Sequence, residues 1–552
     1  MTERARRPRL PWRWTSAVGL GLRAITYDRS RLLRNTAHWK VNSAGIQRSQ
    51  LSQLLEAARG TEFGRAHGFD KVLRIEDADE RLAAYRDAVP IAESLAFREP
   101  LARMREQGQT DVLWPGKVTK FAQTSGTTAG DKFIPVSDEM MKSNFRASLD
   151  IFGHLHNRGV SLAGIMGGKC LFLGGSSDLR PNEHGVVTAD LSGLATTQIR
   201  WPLSQIYSPG NDIALMDRWP EKIEAMAERC LDQDIRFISG MPSWATVLME
   251  RVLEKARDRG DTADCIRDVW PRLTVFVHGG VKYGPFQPRI ARLYSGEQGL
   301  DLPERLELYP ASEAFLAIQD EALEPGMRLL VDNFNFFEFV PLEEIDSPAP
   351  NAFTCESVEK GQKYVVVLST CAGLWRYVLG DVVEFDTIPD RLGDGGGGDG
   401  PCRLRIVGRH THFMNAFGEN LIGEHIEAGV MAACRATGLE VGEFTAAPVY
   451  SDGQTRAGME LAIEFVGEPD PDRLSAFRDA FDAGVKAENV DYTTKRTDSL
   501  GMAPPTLTAL PMGTVHRWME ARGKLGGQHK VPRCANHREI LEAMVAAGRP
   551  GP

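Results

Sequence analysis

The chain has 552 residues, a formal net charge of −9 and a pI near 5.8, and 42% of its residues are hydrophobic. It is long enough for two or three domains, because single cores rarely grow past about 300 residues. The acidic balance leaves no global basic field for a nucleic-acid backbone, so no nucleic-acid partner is expected.

The cysteines and the apolar runs limit where the protein works. The eight cysteines form no Cys-x-x-Cys pair, so we expect reduced thiols in a cytoplasmic protein. No apolar run approaches the roughly 20 residues that span a bilayer, so stable membrane insertion is not expected. The first fourteen residues carry five arginines, Trp12 and Trp14. They predict a frayed, solvated tail, and contact with an anionic membrane surface is the alternative.

Short apolar runs rich in β-branched and aromatic residues alternate with longer helical patterns, which predicts an α/β fold with buried strands. A glycine-rich loop is predicted at 391–400, because glycine loses too much backbone entropy in regular structure. A strand resumes at 403–407. The other predicted strands are 169–175, 235–239, 273–278, 364–370 and 382–385, and the predicted helices are 220–233 and 243–259.

From about residue 418 the pattern changes to a smaller α+β unit. Residues 459–466 alternate between apolar and polar, as a half-buried strand does. Asp470 and Pro471 then supply an N-cap and a first-turn proline for a helix. We therefore predict two domains, 1–417 and 418–552.

The segment TSGTTAGDK, 124–132, is suited to gripping phosphate, because hydroxyls donate to phosphoryl oxygens and glycines let backbone N–H groups approach them. Its spacing differs from a Walker A loop, since three residues lie between Gly126 and Gly130 and Asp131 follows. The segment predicts a phosphate-binding loop of another type. Taken alone, it is equally consistent with a flexible surface turn.

The segment LYPASE, 308–313, has side chains that a nucleotide site needs. Tyr309 can stack on adenine, Ser312 can donate to the α-phosphate, and Glu313 can hold Mg²⁺. The alternative for this pattern is a helix N-cap followed by an acidic first turn.

The segment WRYVLGDVVE, 375–384, ends a strand-like run with a glycine and an aspartate. Asp381 can accept both ribose hydroxyls, as an acidic residue does in dinucleotide folds. Arg376 is expected to pair with a phosphate or with that aspartate. The alternative is an aspartate that only closes a turn.

Two later segments suit a hinge and a mobile cation. In IVGRHTHFMNAFGEN, Arg409 ends a strand and favours a hinge that also contacts the nucleotide. Metal binding at His410 and His412 is not expected. In GKLGGQHKVPR, Lys530 lies on a glycine-rich loop and can neutralise developing negative charge; the alternative is a solvated basic loop.

Together these segments resemble the acyl acid amido synthetase family, the auxin-responsive, indole-3-acetic acid amido synthetase-like proteins of the adenylate-forming superfamily. The resemblance covers about 47–540 and includes LLEAARGTEFGRAHGF, FISGMPSWATVL and VHGGVKYGPF. It implies a large N-terminal α/β domain of the adenylate-forming type, 1–417, that binds ATP and the acyl acid. A smaller, mobile α+β domain, 418–552, follows.

The resemblance implies an ATP-dependent ligase that forms a carbon–nitrogen bond. A small carboxylic acid attacks the α-phosphate of MgATP, giving an acyl-adenylate and pyrophosphate; the amine of an amino acid then displaces AMP. ATP and Mg²⁺ are the implied cofactors, and a monomer or weak dimer is expected. A thioester with coenzyme A or a carrier protein is the alternative product. A non-catalytic nucleotide-binding protein is a second alternative, against which Glu313 and Lys530 argue.

The resemblance also assigns site residues. Lys530 and Glu313 are the catalytic residues, Lys530 assisting adenylation from the mobile domain and Glu313 holding magnesium. Met241, Trp244 and Phe286 are candidates for the acid pocket, although a plain core position is the favoured interpretation of each. Phosphate is gripped by Thr124, Ser125, Gly126, Thr127, Thr128, Gly130 and Lys132; adenine is framed by Tyr309 and the backbone of Gly279 and Gly280; Ser312 contacts the α-phosphate, Asp381 the ribose, and Arg409 the nucleotide.

Two positions depart from the family's pattern near the hinge. Thr411 stands where relatives often have aspartate, and Asn420 stands where plant members usually carry a phosphate-contacting lysine. Positive charge at the phosphates is then left to Lys530 or Arg409.

Overall fold

The computed structural model describes most of the chain and all of its long elements. The described residues are 3–124, 132–174, 180–197, 199–216, 219–280, 283, 287–322, 326–345, 347–392, 396–409, 413–414, 419, 421–439, 441–450, 456–496, 501–521, 531 and 533–548.

Helices dominate both ends of the described chain and alternate with strands in the middle. They are α1 (Ser16–Ile25), α2 (Tyr27–Arg34), α3 (Thr36–Ala58), α4 (Glu62–Ala66), α5 (Phe69–Leu73), α6 (Ala78–Ala88), α7 (Ser94–Glu106), α8 (Asp138–Asn157), α9 (Leu162–Met166), α10 (Leu191–Thr196), α11 (Asn211–Ala214), α12 (Trp219–Leu231), α13 (Pro242–Asp258), α14 (Ile266–Val269), α15 (Gln287–Ser295), α16 (Gly423–Thr437), α17 (Pro471–Glu488), α18 (Val490–Arg496), α19 (Thr514–Ala521) and α20 (Glu539–Gly548).

The strands form one large sheet and three small ones. They are β1 (Lys120–Thr124), β2 (Lys132–Pro135), β3 (Lys169–Phe172), β4 (Val187–Ala189), β5 (Tyr207–Ser208), β6 (Ile235–Gly240), β7 (Val275–Gly279), β8 (Glu304–Pro310), β9 (Phe315–Ile318), β10 (Met327–Leu329), β11 (Asn335–Pro341), β12 (Tyr364–Thr370), β13 (Tyr377–Thr387), β14 (Arg403–Arg409), β15 (Phe413–Met414), β16 (Leu421–Ile422), β17 (Val441–Val449), β18 (Gly458–Phe465) and β19 (Thr506–Pro511).

The large sheet has eleven strands in the order β11-β12-β13-β14-β10-β9-β8-β7-β6-β3-β5. The strands from β5 to β8 pair in parallel, and those from β8 to β11 pair antiparallel. In the parallel half, the carboxyl ends of neighbouring strands meet at one edge, where ligands bind in open α/β sheets. The segments after β6, β7 and β8 all leave the sheet at that edge.

The periodicity of the sequence predicted these elements closely. The predicted strand 364–370 is β12, and 382–385 lies within the longer β13. The predicted helices 220–233 and 243–259 correspond to α12 and α13, each displaced by one or two residues. Asp470 accepts a hydrogen bond from the backbone N–H of Arg473 and caps α17, as predicted. The α/β fold class is confirmed.

Two smaller sheets lie beside the large one. The first has the order β2-β1-β4, with β1 antiparallel to β2 and parallel to β4. The second, β17-β18-β19, is made wholly of residues after 440 and is covered by α16, α17 and α20. The division at residue 418 stays a prediction, although the change from the large sheet to this smaller unit falls close to it.

One apolar cluster, which we call the shared cluster, connects the parallel half of the large sheet with the C-terminal part of the chain. It includes Leu171, Trp244 and Phe276 on one side and Leu421 and Phe477 on the other. Lys495, on α18, also places its ammonium 5.5 Å from the centroid of the Trp244 ring. Apolar packing and a cation–π contact therefore hold the two parts together.

The N-terminal tail is docked on the fold, so the prediction of a frayed tail is wrong. The backbone N–H of Ala5 donates to the carbonyl of Asp301, and Arg7 pairs with the buried Glu304 at 2.7 Å. The carbonyl of Pro11 accepts from Arg236. Buried carboxylates need a cationic partner, and the tail's arginines supply it, which explains why this basic segment is ordered.

Two further features concern exposure. All eight cysteines are free thiols, and seven of them are buried. Within the part of the chain that the structure describes, no helix is long and apolar enough to cross a membrane.

Candidate active site

The predicted phosphate loop joins two antiparallel strands. Thr124, the last residue of β1, lies opposite Lys132, the first residue of β2, so both ends of the loop are fixed side by side. A Walker A loop instead leads from a strand into a helix. The prediction of a different loop type is therefore consistent with its anchorage. The loop residues Ser125, Gly126, Thr127, Thr128 and Gly130 lie outside the described residues, as does the side chain of Thr124.

Lys132 reaches from the end of this loop to the predicted magnesium ligand. Its ammonium nitrogen lies 2.7 Å from Oε1 of Glu313, in the turn between β8 and β9. The same ammonium lies 4.7 Å from the centroid of the Tyr377 ring, and the Tyr377 hydroxyl lies 3.4 Å from Oε1 of Glu313. The three side chains form one cluster that links the small sheet β2-β1-β4 to the large sheet.

The charge state of this cluster follows from its surroundings. Burial by itself lowers the pKa of Lys132, but the Glu313 carboxylate and the Tyr377 hydroxyl outweigh it and raise that pKa above its ordinary value. Lys132 is therefore a full cation at neutral pH. Only 7% of the Glu313 side chain is exposed, so its carboxylate lies at the end of the loop with little solvent around it.

A second contact joins Tyr309 to Asp381. The Tyr309 hydroxyl donates to Oδ2 of Asp381 at 2.6 Å, and both side chains are buried. Tyr309 belongs to β8 and Asp381 to β13, and three strands stand between them in the order of the sheet. The contact thus requires the sheet to bring distant strands together at this edge.

The two contacts join the same pair of segments, 309–313 and β13. Tyr309 and Glu313 are four residues apart, and so are Tyr377 and Asp381, which they contact. The pairing of β12 with β13 is irregular between Val378 and Val382, so the contacts themselves, and not a regular alternation of side chains, place Tyr377 and Asp381 beside this segment. The structure therefore brings Lys132, Glu313, Tyr309 and Asp381 into one neighbourhood.

Gly279 and Gly280 follow β7 at the same edge, as predicted for an adenine frame. A Cβ on Gly279 would lie 2.6 Å from the carbonyl oxygen of Leu308, so no side chain fits there. Gly280 has φ of +83°, a conformation that favours glycine, and a Cβ there would meet Met241 at 3.1 Å. At both positions neighbouring atoms already occupy the place that a side chain would take.

The remaining predicted site residues are placed less completely. Ser312 is half-buried in the turn that also carries Glu313. The backbone of Arg409 pairs with Asp381, while its side chain lies outside the described residues. His410, Thr411, His412, Asn420 and the catalytic candidate Lys530 also lie outside the described residues.

The predicted acid-pocket residues lie after β6 at the same edge. Met241 precedes α13, and Trp244 is a buried member of the shared cluster. Both the pocket interpretation and the plain core interpretation are consistent with this position. Phe286 lies outside the described residues.

The prediction that Arg376 pairs with a phosphate or with Asp381 is wrong. Arg376 is buried and donates to both carboxylate oxygens of Glu338 and to the carbonyls of Arg86 and Val89. Its φ of +43° turns the side chain away from the strand alternation that the prediction assumed. Arg376 therefore holds the N-terminal helices against the sheet.

The donor set suits a magnesium ion that is held mainly by phosphate. Among the described residues there is no cluster of three or more His, Cys, Asp or Glu side chains that could hold a metal. Mg²⁺ in nucleotide sites needs only one or two carboxylates besides the phosphates. The buried carboxylate of Glu313, beside the end of the loop, fits that requirement.

Sequence reasoning missed one residue of the site. Tyr377 contacts both members of the Lys132–Glu313 pair, but the sequence analysis considered only its neighbours in the WRYVLGD segment. The available signal was its place in the same strand-like run, four residues before Asp381.

Family models match most of the chain. The model of the GH3 family N-terminal domain matches residues 33–178 and 159–299, that of the GH3 family central domain matches 328–391, and that of the GH3 family C-terminal domain matches 424–539. The matched ranges follow one another in the order N-terminal, central and C-terminal domain, and they cover more than half of the chain.

Curated relatives are similar over nearly their whole length. Indole-3-acetic acid-amido synthetase GH3.8 of Oryza sativa subsp. indica is 22% identical, over 93% of this chain and 91% of the relative. Jasmonoyl–L-amino acid synthetase JAR4 of Nicotiana attenuata is 22% identical, over 89% of this chain and 90% of the relative.

Solved structures share the fold. A GH3.15 acyl acid amido synthetase superposes with a TM-score of 0.54 and 16% identity, covering 92% of this chain and 94% of that one. A 2-hydroxyisobutyryl-CoA ligase in the thioesterification state has a TM-score of 0.50 and 14% identity, with 91% of each chain covered. With family models along most of its length, this chain belongs to the GH3 family, and the predicted enzyme class, an acid–amino acid ligase, is confirmed at the level of that family.

Proposed function

We propose that this GH3 family protein adenylates a small carboxylic acid with ATP and transfers the acyl group to the amine of an amino acid. The observation that carries the proposal is a pair of contacts between the 309–313 segment and β13, namely Tyr309 with Asp381 and Glu313 with Tyr377. Lys132 lies beside them and pairs with Glu313. These contacts bring together Lys132, Glu313 and Asp381, the residues predicted to serve phosphate, magnesium and ribose, and nucleotides bind at the carboxyl edge of the parallel strands in such sheets.

In this proposal the phosphates lie along the 124–132 loop, and Ser312 contacts the α-phosphate that the acid attacks. Asp381 accepts the ribose hydroxyls, with its carboxylate oriented by the Tyr309 hydroxyl. The backbone of Gly279 and Gly280 frames adenine. Little covalent help from the protein is needed, because adenylation already makes AMP a good leaving group; positioning and charge stabilisation dominate.

Mg²⁺, held by Glu313 and the phosphates, would neutralise charge on the leaving pyrophosphate. In the structure the Lys132 ammonium contacts the Glu313 carboxylate. A second cation beside Glu313 would repel the ammonium, and Lys132 would then be available to the phosphates of a bound nucleotide. The Lys132 side chain thus positions the loop before binding and neutralises phosphate afterwards.

The proposal includes a mobile unit at 418–552 that carries Lys530 to the site for adenylation and withdraws it for entry of the amine. The separate β17-β18-β19 sheet supports such a unit. We also propose a cytoplasmic protein that is a monomer or weak dimer, in keeping with eight free thiols.

The decisive experiment supplies enzyme, ATP and a panel of carboxylic acids, then offers amino acids or coenzyme A separately. Acid-dependent pyrophosphate release followed by an amide product is expected. A product formed only with the thiol would replace amide synthesis by thioester synthesis, which an enzyme of similar fold performs by its name. If the protein binds nucleotide but releases no pyrophosphate with any acid, the alternative of a non-catalytic nucleotide-binding protein is favoured.

Asp381→Ala is expected to weaken ATP binding roughly tenfold to a hundredfold, because hydrogen bonds to a charged acceptor are worth about 1.5 to 3 kcal/mol. Isothermal titration with ATP measures the change. Tyr309→Phe is the matched control, since it removes only the hydroxyl that orients Asp381, and its effect should be smaller. An unchanged ATP affinity in Asp381→Ala would remove the ribose assignment.

A further inference from the structure

The first 34 residues carry a charge opposite to that of the whole protein. They contain nine arginines and two acidic residues, whereas the chain has a net charge of −9. The segment lies almost entirely before residue 33, where the match to the family's N-terminal domain begins. Its basic character therefore belongs to this chain rather than to the family's catalytic core.

Helix α1 turns an apolar face to solvent. Ser16, Gly19 and Leu22 are its buried residues, and the Gly19 backbone packs directly against α9. On the other side, Ala17, Leu20, Gly21 and Ala24 are exposed. These four residues follow helical spacing and form one stripe, at a place where a surface helix of a soluble protein normally carries polar side chains.

Large apolar side chains flank this stripe and are also exposed. The exposed fractions are 61% for Trp12, 65% for Trp14, 77% for Ile25 and 56% for Tyr27. Single exposed apolar residues are ordinary, but here they cluster within sixteen residues of sequence around one helix. Tryptophan and tyrosine are the side chains that prefer the boundary between water and lipid.

Arginines surround the apolar residues. The exposed arginines Arg6, Arg9, Arg23, Arg31 and Arg34 have no ion pair within the described part of the chain. After burial, the charges of Arg23 and Arg34 are what lower the pKa of His156, so both guanidinium groups lie near the end of α8. Arg7 donates to the carbonyl of Arg158, just after α8, so three cationic side chains lie near the same helix end.

The surface is already ordered. Arg7 pairs with Glu304, and Arg13 lies 3.4 Å from Asp234, so the tail that carries Trp12 and Trp14 is held against the fold. A partner that binds here does not have to order the segment first, which reduces the entropic cost of binding.

We propose that this surface, residues 6–34, is a docking site for the anionic headgroup layer of a lipid bilayer. Aliphatic and aromatic side chains enter the interface, while the arginines contact lipid phosphates. The stripe is too short to span a bilayer, so the attachment is peripheral and reversible. The match of unpaired positive charge with exposed tryptophans favours lipid over a second copy of this acidic chain.

The docking surface and the nucleotide site lie at opposite edges of the parallel strands. Asp234 directly precedes β6 and Glu304 begins β8, so the tail is tied to the amino ends of these strands. Gly279 and Tyr309 lie at the carboxyl ends. A strand of six or seven residues is about 20 Å long, so docking leaves the nucleotide edge open to solution.

The test is sedimentation of the full chain with vesicles of pure phosphatidylcholine and of phosphatidylcholine mixed with phosphatidylglycerol. Binding is expected only to the mixed vesicles and should weaken as salt rises. The triple variant Trp12→Ser, Trp14→Ser, Ile25→Ser should lose at least about tenfold in binding. Trp201→Ser, which changes a tryptophan that is 76% exposed outside this surface, is the matched control and should bind normally.

A charge variant separates the two contributions. Arg6→Gln, Arg9→Gln and Arg23→Gln should each lower binding about fivefold, in line with about 1 kcal/mol per basic residue near an anionic membrane. Since all these side chains are exposed, thermal unfolding should not change. Equal binding to neutral and anionic vesicles, or no binding to either, would overturn the proposal. So would self-association that the triple variant abolishes in the absence of vesicle binding.

Discussion

Glu313→Gln is expected to reduce acid-dependent pyrophosphate release about 10²- to 10³-fold, the cost of losing one preorganised charge-stabilising group. The amide keeps the shape of the side chain but lacks the charge that holds Mg²⁺. The Mg²⁺ concentration needed for half-maximal rate should rise together with the loss of rate. Pyrophosphate release at varied Mg²⁺ measures both.

The same change removes the anion that raises the pKa of the buried Lys132, so thermal unfolding has to be followed alongside the rate. Tyr377→Phe is the matched control, because it removes only the hydroxyl 3.4 Å from Glu313 and should cost about threefold or less. A slowed Glu313→Gln enzyme with an unaltered Mg²⁺ requirement would show that the carboxylate acts through Lys132 and holds no metal.

Lys530→Ala should lower acid-dependent pyrophosphate release by a similar factor, about 10²- to 10³-fold, with little change in ATP affinity. The assignment comes from the resemblance of GQHKVPR to the family's mobile lysine. A charge that reaches the site only during adenylation stabilises the transition state and leaves ground-state binding unaffected. Single-turnover rates and ATP titration separate the two effects.

Lys524→Ala tests whether position matters within the same basic, glycine-rich segment, and it should leave the rate nearly unchanged. Amide formation from a preformed acyl-adenylate should also survive Lys530→Ala, since the lysine serves only the first half-reaction. Equal losses of rate and of ATP affinity would instead make Lys530 a ground-state binder.

The sequence predicted most of the parallel half of the fold because the relevant signals are local. Strands such as β6 and β7 are short apolar runs, and α13 repeats apolar residues at helical spacing between them. The cap at Asp470 likewise depends on the neighbouring few residues. Such patterns act within about one element length, so they need no knowledge of the rest of the chain.

The contacts that build the site are long-range, and no local pattern encodes them. Tyr309 and Asp381 are 72 residues apart, and Lys132 and Glu313 are 181 apart. Which strands meet depends on the order of the sheet, which periodicity does not specify. The resemblance assigned these residues to one nucleotide site. Their direct contacts, and the part that Tyr377 plays in them, are visible only in the structure.

The predictions for Arg376 and for the N-terminal tail were wrong for a related reason. The sequence analysis predicts that Arg376 pairs with a phosphate or with the nearby Asp381. In the structure its partner is Glu338, which lies on another strand. The sequence analysis predicts a solvated tail because Glu304, the partner of Arg7, is 297 residues away. Burial of those acids creates the demand for cations, and burial is a property of the whole fold.

The eight free thiols have a chemical consequence of their own. Burial raises the pKa of Cys170 and of Cys534 to about 12, so at neutral pH only about one molecule in 10⁵ carries either group as thiolate. Peroxide and disulfide reagents attack the thiolate, and both sulfurs are shielded from them. Both thiols should therefore stay reduced in the folded protein at peroxide concentrations that oxidise accessible cysteines.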